Sequence, residues 1–300
     1  MSQKIAPFLL SFCLLIVFGY SSLTNAQSTM PQPNQQIALV TGSTSGLGRE
    51  LAMRLSDMGM FVVVHGRNQQ RGLEVVAEIE KRGRGGAHLY VADFASIDQI
   101  RGLGEFILNN YDRLDILVNN AGIGSSPNER LISENGHELR FQVNYLSHFL
   151  LTDMLLPLLA EASPSRIVNV ASGAQQAIDF NDVMIENNFS GRRAYAQSKL
   201  AQILFTIELA GRLEGTDITV NALHPATYMD TNMVRALGAT PRATVDEGAD
   251  AVMQLITEDV GTGGYFNGQR SARARGQAYD EEARADLWQL SEALTGLTNR

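Results

Sequence analysis

The chain has one cysteine, Cys13, and it lies inside an N-terminal apolar run, so the body of the sequence has none. That excludes disulfides, cysteine-based metal sites and a cysteine nucleophile from the body; it suits an oxidising compartment without requiring one. Clustered basic residues are lacking too. Lys+Arg 24 stand against Asp+Glu 32, a formal charge of −8, which is the pattern of a solvated acidic surface. Nucleic acid is therefore not expected as a partner. The five histidines (His65, His88, His137, His148, His224) show no metal-ligand spacing; they read as structural or surface residues, and no metal is expected. No repeat and no low-complexity tract occurs. No linker interrupts residues 36–300, so that stretch reads as a single domain, long enough for a full core.

The N-terminus differs from the rest. One lysine precedes an apolar run from Phe8 to Tyr20, followed by small polar residues ending Thr24-Asn25-Ala26. The run is shorter than the roughly 20 residues of a spanning helix. Residues 1–26 are expected to be a signal peptide cut after Ala26, which exports the protein to a periplasmic or secreted location. Two alternatives stay open: an uncleaved anchor that associates the protein with a membrane, and a cytoplasmic protein starting at Met30. Residues 27–35 read as a polar linker.

Seven strands are expected: 36–42, 60–66, 87–93, 114–122, 166–172, 217–225 and 264–266. Most are short Val/Ile/Leu-rich runs, and helix-period segments lie between most of them. That pattern marks a parallel sheet covered on both faces, a single Rossmann-type doubly wound α/β fold. The segments around 137–160 and 194–213 are apolar over most of their helical surface. They are either core helices or a subunit interface, and the second case would make a homodimer or homotetramer.

After the first strand comes Thr41-Gly42-Ser43-Thr44-Ser45-Gly46-Leu47-Gly48, then a helix. Glycines there permit a tight turn and close approach of backbone to a pyrophosphate, which the helix N-terminus attracts. At the end of the second strand NAD-binding folds usually place an acid on the ribose. This chain has no carboxylate from Met60 to Asn68 and offers Arg67 instead. An arginine would bind a 2′-phosphate, so NADP(H) is the expected cofactor. Asp93, closing the third strand, would hold the adenine edge or cap a helix.

Tyr195 and Lys199, in YAQSK, are one helical turn apart and so share a face. They are either a surface pair or an acid–base pair. With Thr41–Gly48, Asn119-Asn120-Ala121-Gly122, Ser172 and Tyr195–Lys199 in this order, the sequence resembles the short-chain dehydrogenase/reductase family over nearly all of residues 36–300. ENGHELRFQVNYLSHFLLT (134–152) and LWQLSEALTG (287–296) are similar to its retinol dehydrogenase-like branch. The resemblance implies a catalytic tetrad of Asn144, Ser172, Tyr195 and Lys199. It also implies cofactor support from Asn120, Ala121 and Gly122, and a carboxamide-binding role for Thr231. It departs at Pro225-Ala226, where family members commonly have Pro-Gly.

Carbonyl reduction needs a hydride on carbon and a proton on oxygen. A phenol with an ordinary pKa of about 10 is a poor acid near neutrality, and an adjacent ammonium is expected to lower it. Lys199 would then tune Tyr195 and hold the nicotinamide ribose, while Ser172 holds the substrate oxygen. Ile178, Phe180, Met184, Ile185, Met229, Met233 and Leu237 flank these positions; either they line an apolar pocket for a hydrophobic alcohol or carbonyl compound, or about half of them face the core. The rival readings are a protochlorophyllide reductase-like enzyme, which is expected to use a cysteine, an epimerase of the extended branch, and a noncatalytic nucleotide sensor on the same fold.

Overall fold

The computed structural model describes residues 30–297. The expected signal peptide or anchor lies outside the described residues. The sheet has eight strands in the order β3-β2-β1-β4-β5-β6-β7-β8: β1 Ile37–Val40, β2 Phe61–Gly66, β3 Gly86–Val91, β4 Ile116–Asn119, β5 Ser165–Val170, β6 Ile218–His224, β7 Tyr265–Asn267 and β8 Arg270–Ala272. β1 to β7 pair in parallel; β8 is antiparallel to β7. β8 is the departure from the expected seven. It is three residues long and joined to β7 by the two-residue loop Gly268-Gln269, with Gly268 at φ 58°. A glycine opening a two-residue hairpin is a legible turn signal, but Arg-Ser-Ala is too short and too polar to read as a strand.

Strands β1, β2 and β4 are fully buried, which is why they read as continuous apolar runs rather than as alternating ones. Helices α1 Gly46–Asp57, α2 Gln69–Arg82 and α8 Val245–Thr257 cover one face through Leu51, Val75 and Val252. Helices α3 Ile97–Asn110, α5 Ser147–Glu161, α6 Gly191–Arg212 and α9 Glu281–Thr295 cover the other through Ile100, Phe149, Leu204 and Leu287. Burying each such side chain contributes about 1.5–3 kcal/mol.

The two apolar segments are core helices. Leu139–Glu161 is long and apolar enough to cross a membrane, but 78% of its most apolar window is buried inside the protein. It is not one regular helix. A short turn, α4 Leu139–Phe141, runs into a π-helical turn at Gln142–Leu146 before α5 begins. The chain order reverses between β1 and β4, so the carboxyl ends of these strands open onto a crevice, the usual ligand position in such sheets.

Candidate active site

The glycine turn leaves β1 and starts α1 at Gly46. Gly42 and Gly46 both have φ in the left-handed region, 66° and 53°. Gly48 is fixed by closeness: a Cβ there would lie 2.4 Å from the Gly42 carbonyl oxygen. Ser45 is the N-cap, makes no side-chain capping bond, and no acid stands in the first turn of α1. The positive pole of this helix therefore keeps its backbone donors for an anion. Asn120 and Ala121 close the turn from β4. Both backbone amides donate to Thr41 Oγ1 at 2.9 Å, and the Asn120 amide nitrogen donates to the Thr41 carbonyl at 2.8 Å. Ser43 is buried and its hydroxyl accepts from the His65 amide at 2.9 Å; Leu47 joins the core.

Arg67 leaves the end of β2 with its side chain 70% exposed, 3.7 Å from the Asp93 carboxylate. The local sequence around Arg67 shows no acid, but β3 brings one beside it. Asp93 also accepts from the Ala95 amide at 3.0 Å, the capping role that was the alternative for it. Thr231 caps α7 Asn232–Ala236 and its methyl lies over Gly46, 3.3 Å from where a Cβ would stand. The loop after β6 thus reaches the glycine turn. Pro225 is buried, and Ala226 takes an ordinary φ, so the family's glycine is not required there. The left-handed residue of this loop is Tyr228, at φ 50°.

Ser172 follows the end of β5. Its hydroxyl accepts from the Ala174 amide at 3.1 Å and is paired with the Tyr195 hydroxyl. Two further groups fix its backbone: Tyr265 OH donates to the Ser172 carbonyl at 3.0 Å, and Gln175 Nε2 at 3.1 Å. Tyr195 and Lys199 share one face of α6, with Nζ 6.0 Å from the centre of the phenol ring. Lys199 is buried. Its Nζ donates to the Val170 carbonyl and to Gln202 Oε1, both at 2.8 Å. Neither partner is charged, and burial lowers Lys199 to about 7.

The direction at Tyr195 differs from the expected one. Burial raises the phenol above its ordinary value, and the Ser172 hydrogen bond offsets that only in part. Burial sets the direction, and the Lys199 Nζ donates to Val170 and Gln202 rather than to the hydroxyl.

Asn144 sits in the π-helical turn, fully buried. Its side chain accepts from the Ile123 amide at 2.8 Å and donates to the Ile123 carbonyl at 3.1 Å and Ser198 Oγ at 2.9 Å. It ties the segment after β4 to α6. Gly122 stands between these groups: a Cβ there would be 3.2 Å from Asn144 Oδ1 and 3.6 Å from Lys199 Nζ. Asn144, Lys199 and Gly122 are thus gathered at one place, with Ser172 and Tyr195 paired beside it.

Of the seven flanking apolar residues, Ile178 and Ile185 belong to the core at 4% and 0% exposure. Met233 packs toward Gly124 and Met229 toward Gly248, while Leu237 is exposed. Four further residues, His148, Gln202, Tyr265 and Gln175, join the site in the structure. His148 and Gln202 lie one helical turn from Asn144 and Lys199, a spacing that was available as a signal. Tyr265 gave none, since only the fold brings it to Ser172; Gln175 is three residues from Ser172 along the chain, but it lies in a loop whose turn no periodicity marks.

A model of the short chain dehydrogenase family matches residues 36–242. The chain is 37% identical over 288 residues to retinol dehydrogenase 14 of Mus musculus, with 86% of this chain and 85% of that one aligned. It is 37% identical over 289 residues to polyprenol dehydrogenase of Mus musculus, with 89% and 85% aligned. Among solved structures, a variant of the actinorhodin polyketide ketoreductase with NADPH matches at TM-score 0.64 and 27% identity, covering 79% of this chain and 97% of that one. A family model over more than half of the sequence, and relatives above one-third identity along most of it, agree with the fold and the crevice: the chain belongs to the short-chain dehydrogenase family and is a nicotinamide-dependent oxidoreductase.

Proposed function

We propose that this protein interconverts the alcohol and carbonyl forms of a small hydrophobic substrate with NADP(H), with Tyr195 as proton donor and acceptor, Ser172 as the holder of the substrate oxygen, and Lys199 and Asn144 as their supports. The observation that carries this reading is the Tyr195–Ser172 hydroxyl pair beside a buried lysine at the carboxyl edge of the sheet. NADP(H) supplies or takes the hydride. Thr41 to Gly48, Asn120, Ala121 and Gly122 would cradle its pyrophosphate and ribose. Thr231 and Pro225 would close over the nicotinamide end, and Arg67 would meet the 2′-phosphate with Asp93 beside it.

Ser172 positions the substrate oxygen against the phenol, and Tyr195 gives it the proton that reduction requires. Reversible transfer at neutral pH needs the phenol to become more acidic than burial alone leaves it. A Lys199 ammonium turned from Val170 toward the ribose and the phenol would do that. The fit of the cradle to a nucleotide is supported by the lack of room for a Cβ at Gly48 and by the uncapped α1 terminus.

The substrate class rests on the relatives named for retinol and polyprenol, which are both isoprenoid alcohols, together with Met233, which packs toward Gly124, and the exposed Leu237 in the segment after β6. Purified protein is expected to oxidise NADPH in the presence of a long-chain isoprenoid aldehyde, and faster than with a steroid ketone or a short aldehyde. Tyr195→Phe should lower turnover by on the order of 10² to 10⁴ with little change in NADPH affinity. Full turnover in that variant would refute the assignment. Residues 36–300 are proposed as the catalytic domain and residues 1–26 as an export signal; a native N-terminus at Met30, read by mass spectrometry, would overturn the second assignment.

A further inference from the structure

Lys199 reaches beyond the four residues assigned to the reaction. An ammonium has donors only, so the Gln202 amide must turn its oxygen to Nζ and its NH2 group away. The NH2 group meets His148, with Gln202 Nε2 3.0 Å from His148 Nδ1. His148 is fully buried on α5, and burial with the nearby Lys199 charge holds it well below its ordinary value, so the ring is neutral. Its Nδ1 is also 3.0 Å from the Asn144 carbonyl oxygen. One tautomer accepts from Gln202 at this atom; the other donates to Asn144. The far ring nitrogen, Nε2, lies 3.4 Å from Thr41 Oγ1, the hydroxyl that gathers the Asn120 and Ala121 amides. Gln202, like His148, has no exposed surface. An unbroken line of buried polar atoms therefore runs from the lysine to the glycine turn.

We propose that Gln202 and His148 are positioning residues, a buried brace that holds the Lys199 ammonium and ties it to Thr41 of the cofactor turn. The proposal rests on the assignment of Lys199 to the reaction. An uncharged amide at position 202 matters as much as its reach. A carboxylate there would capture the ammonium as an ion pair and cancel its field at Tyr195; an alkyl group would leave it only the Val170 carbonyl. The titratable groups facing Lys199 are Tyr195 on its own helix and His148 from α5, with His65 of β2 behind His148.

The chain has only three lysines, Lys4, Lys81 and Lys199, so a spectrum of lysine labelled with 13C at Cε resolves Lys199 directly. In the nucleotide-free protein, Gln202→Glu should move the Lys199 titration up by at least about one pH unit, and Gln202→Leu should move it down. His148→Leu should move it in the same direction as Gln202→Leu, while Lys81 stays fixed in every variant. In turnover, Gln202→Glu should lower kcat for alcohol oxidation about tenfold at neutral pH and carry its alkaline limb to higher pH, with the substrate KM little changed. Loosening of the fold would shift the two Gln202 variants the same way, and that result, or no shift in either, overturns the brace. Should Gln202→Leu fail to fold, the near-isosteric Gln202→Glu decides alone. The titration needs no turnover. An inactive wild type would therefore refute the proposed function and leave standing only the hold of Gln202 and His148 on Lys199, while normal turnover with an unmoved Lys199 would refute the brace alone.

Discussion

Lys199 links the chemistry of the site to the stability of the fold, and the link has a measurable slope. Burial lowers the lysine to about 7 from an ordinary 10.5. Between those limits the unfolded chain carries a proton on this side chain that the folded chain tends to shed. Stability therefore rises with pH across the window: the contribution is complete above about 10.5 and is lost as pH falls through about 7. One full proton is worth about 1.4 kcal/mol per pH unit, and half of it is already shed at pH 7, so the gain between pH 7 and pH 9 is about 2 kcal/mol. Lys199→Met removes the titration and keeps most of the stem's bulk. At pH 7 the variant gains by no longer burying an ammonium and loses by leaving the Val170 carbonyl and Gln202 Oε1 without a donor, at about 1–3 kcal/mol each. The lost-donor terms do not change with pH, whereas the buried-ammonium term does, so the difference in slope isolates the lysine's titration. Urea unfolding of nucleotide-free wild type and Lys199→Met at pH 7, 8 and 9 should show wild type gaining about 2 kcal/mol on the variant. Parallel profiles would mean that Lys199 keeps its proton throughout, and the account of an unpaired buried lysine would fail.

Three other outcomes are expected. Arg67→Asp should weaken NADPH binding at least tenfold, about 1.4 kcal/mol, because it sets a second carboxylate beside Asp93 where a 2′-phosphate is to lie; equal affinities of wild type for NADH and NADPH, measured by fluorescence titration, would contradict the premise. His65 is buried, accepts from the Gly42 amide through Nδ1 at 3.2 Å, and is lowered to about 4 from 6.5. Its contribution is present above about 6.5 and is lost as pH falls through about 4, a change of roughly 3 kcal/mol that His65→Asn should remove from the acid-unfolding profile. Gly48→Ala would set a Cβ 2.4 Å from the Gly42 carbonyl oxygen, so nucleotide affinity should fall more than tenfold in a calorimetric titration; unchanged affinity would show that the turn can widen.

What could be read from the sequence follows from how local each signal is. The strands were legible because burial on both faces makes them continuous apolar runs, and the glycine turn because Gly42 and Gly46 need left-handed backbone that other residues avoid. Tyr195 and Lys199 were legible as neighbours because a helix fixes what lies four residues away. The acid beside Arg67 was not, since Asp93 arrives from just past the end of the neighbouring strand β3 and not along the chain. Nor was the direction at Tyr195: a residue pattern shows an ammonium near a phenol but not how deeply each is buried, and burial decides the sign. The eighth strand was hidden by its three-residue length.

The π-helical turn joins these threads. A residue added to a helical turn widens it and re-aims the side chains within it, and such turns are over-represented at functional sites. Here the widened turn is Gln142–Leu146, and Asn144 lies at its centre. Its side chain matches both backbone groups of Ile123, so the segment leaving β4 is held as if by one more rung of a ladder. From the same turn the Asn144 carbonyl meets His148 Nδ1, while the Asn144 amide reaches Ser198, the residue before Lys199. Three parts of the crevice thus converge on one residue: the segment after β4, the helix bearing Tyr195 and Lys199, and, through His148, Thr41 of the glycine turn. Replacing Asn144 by leucine would leave both Ile123 backbone groups without a partner and free all three parts at once. In this fold a buried asparagine that bears no transferable proton can govern where the proton-bearing groups stand.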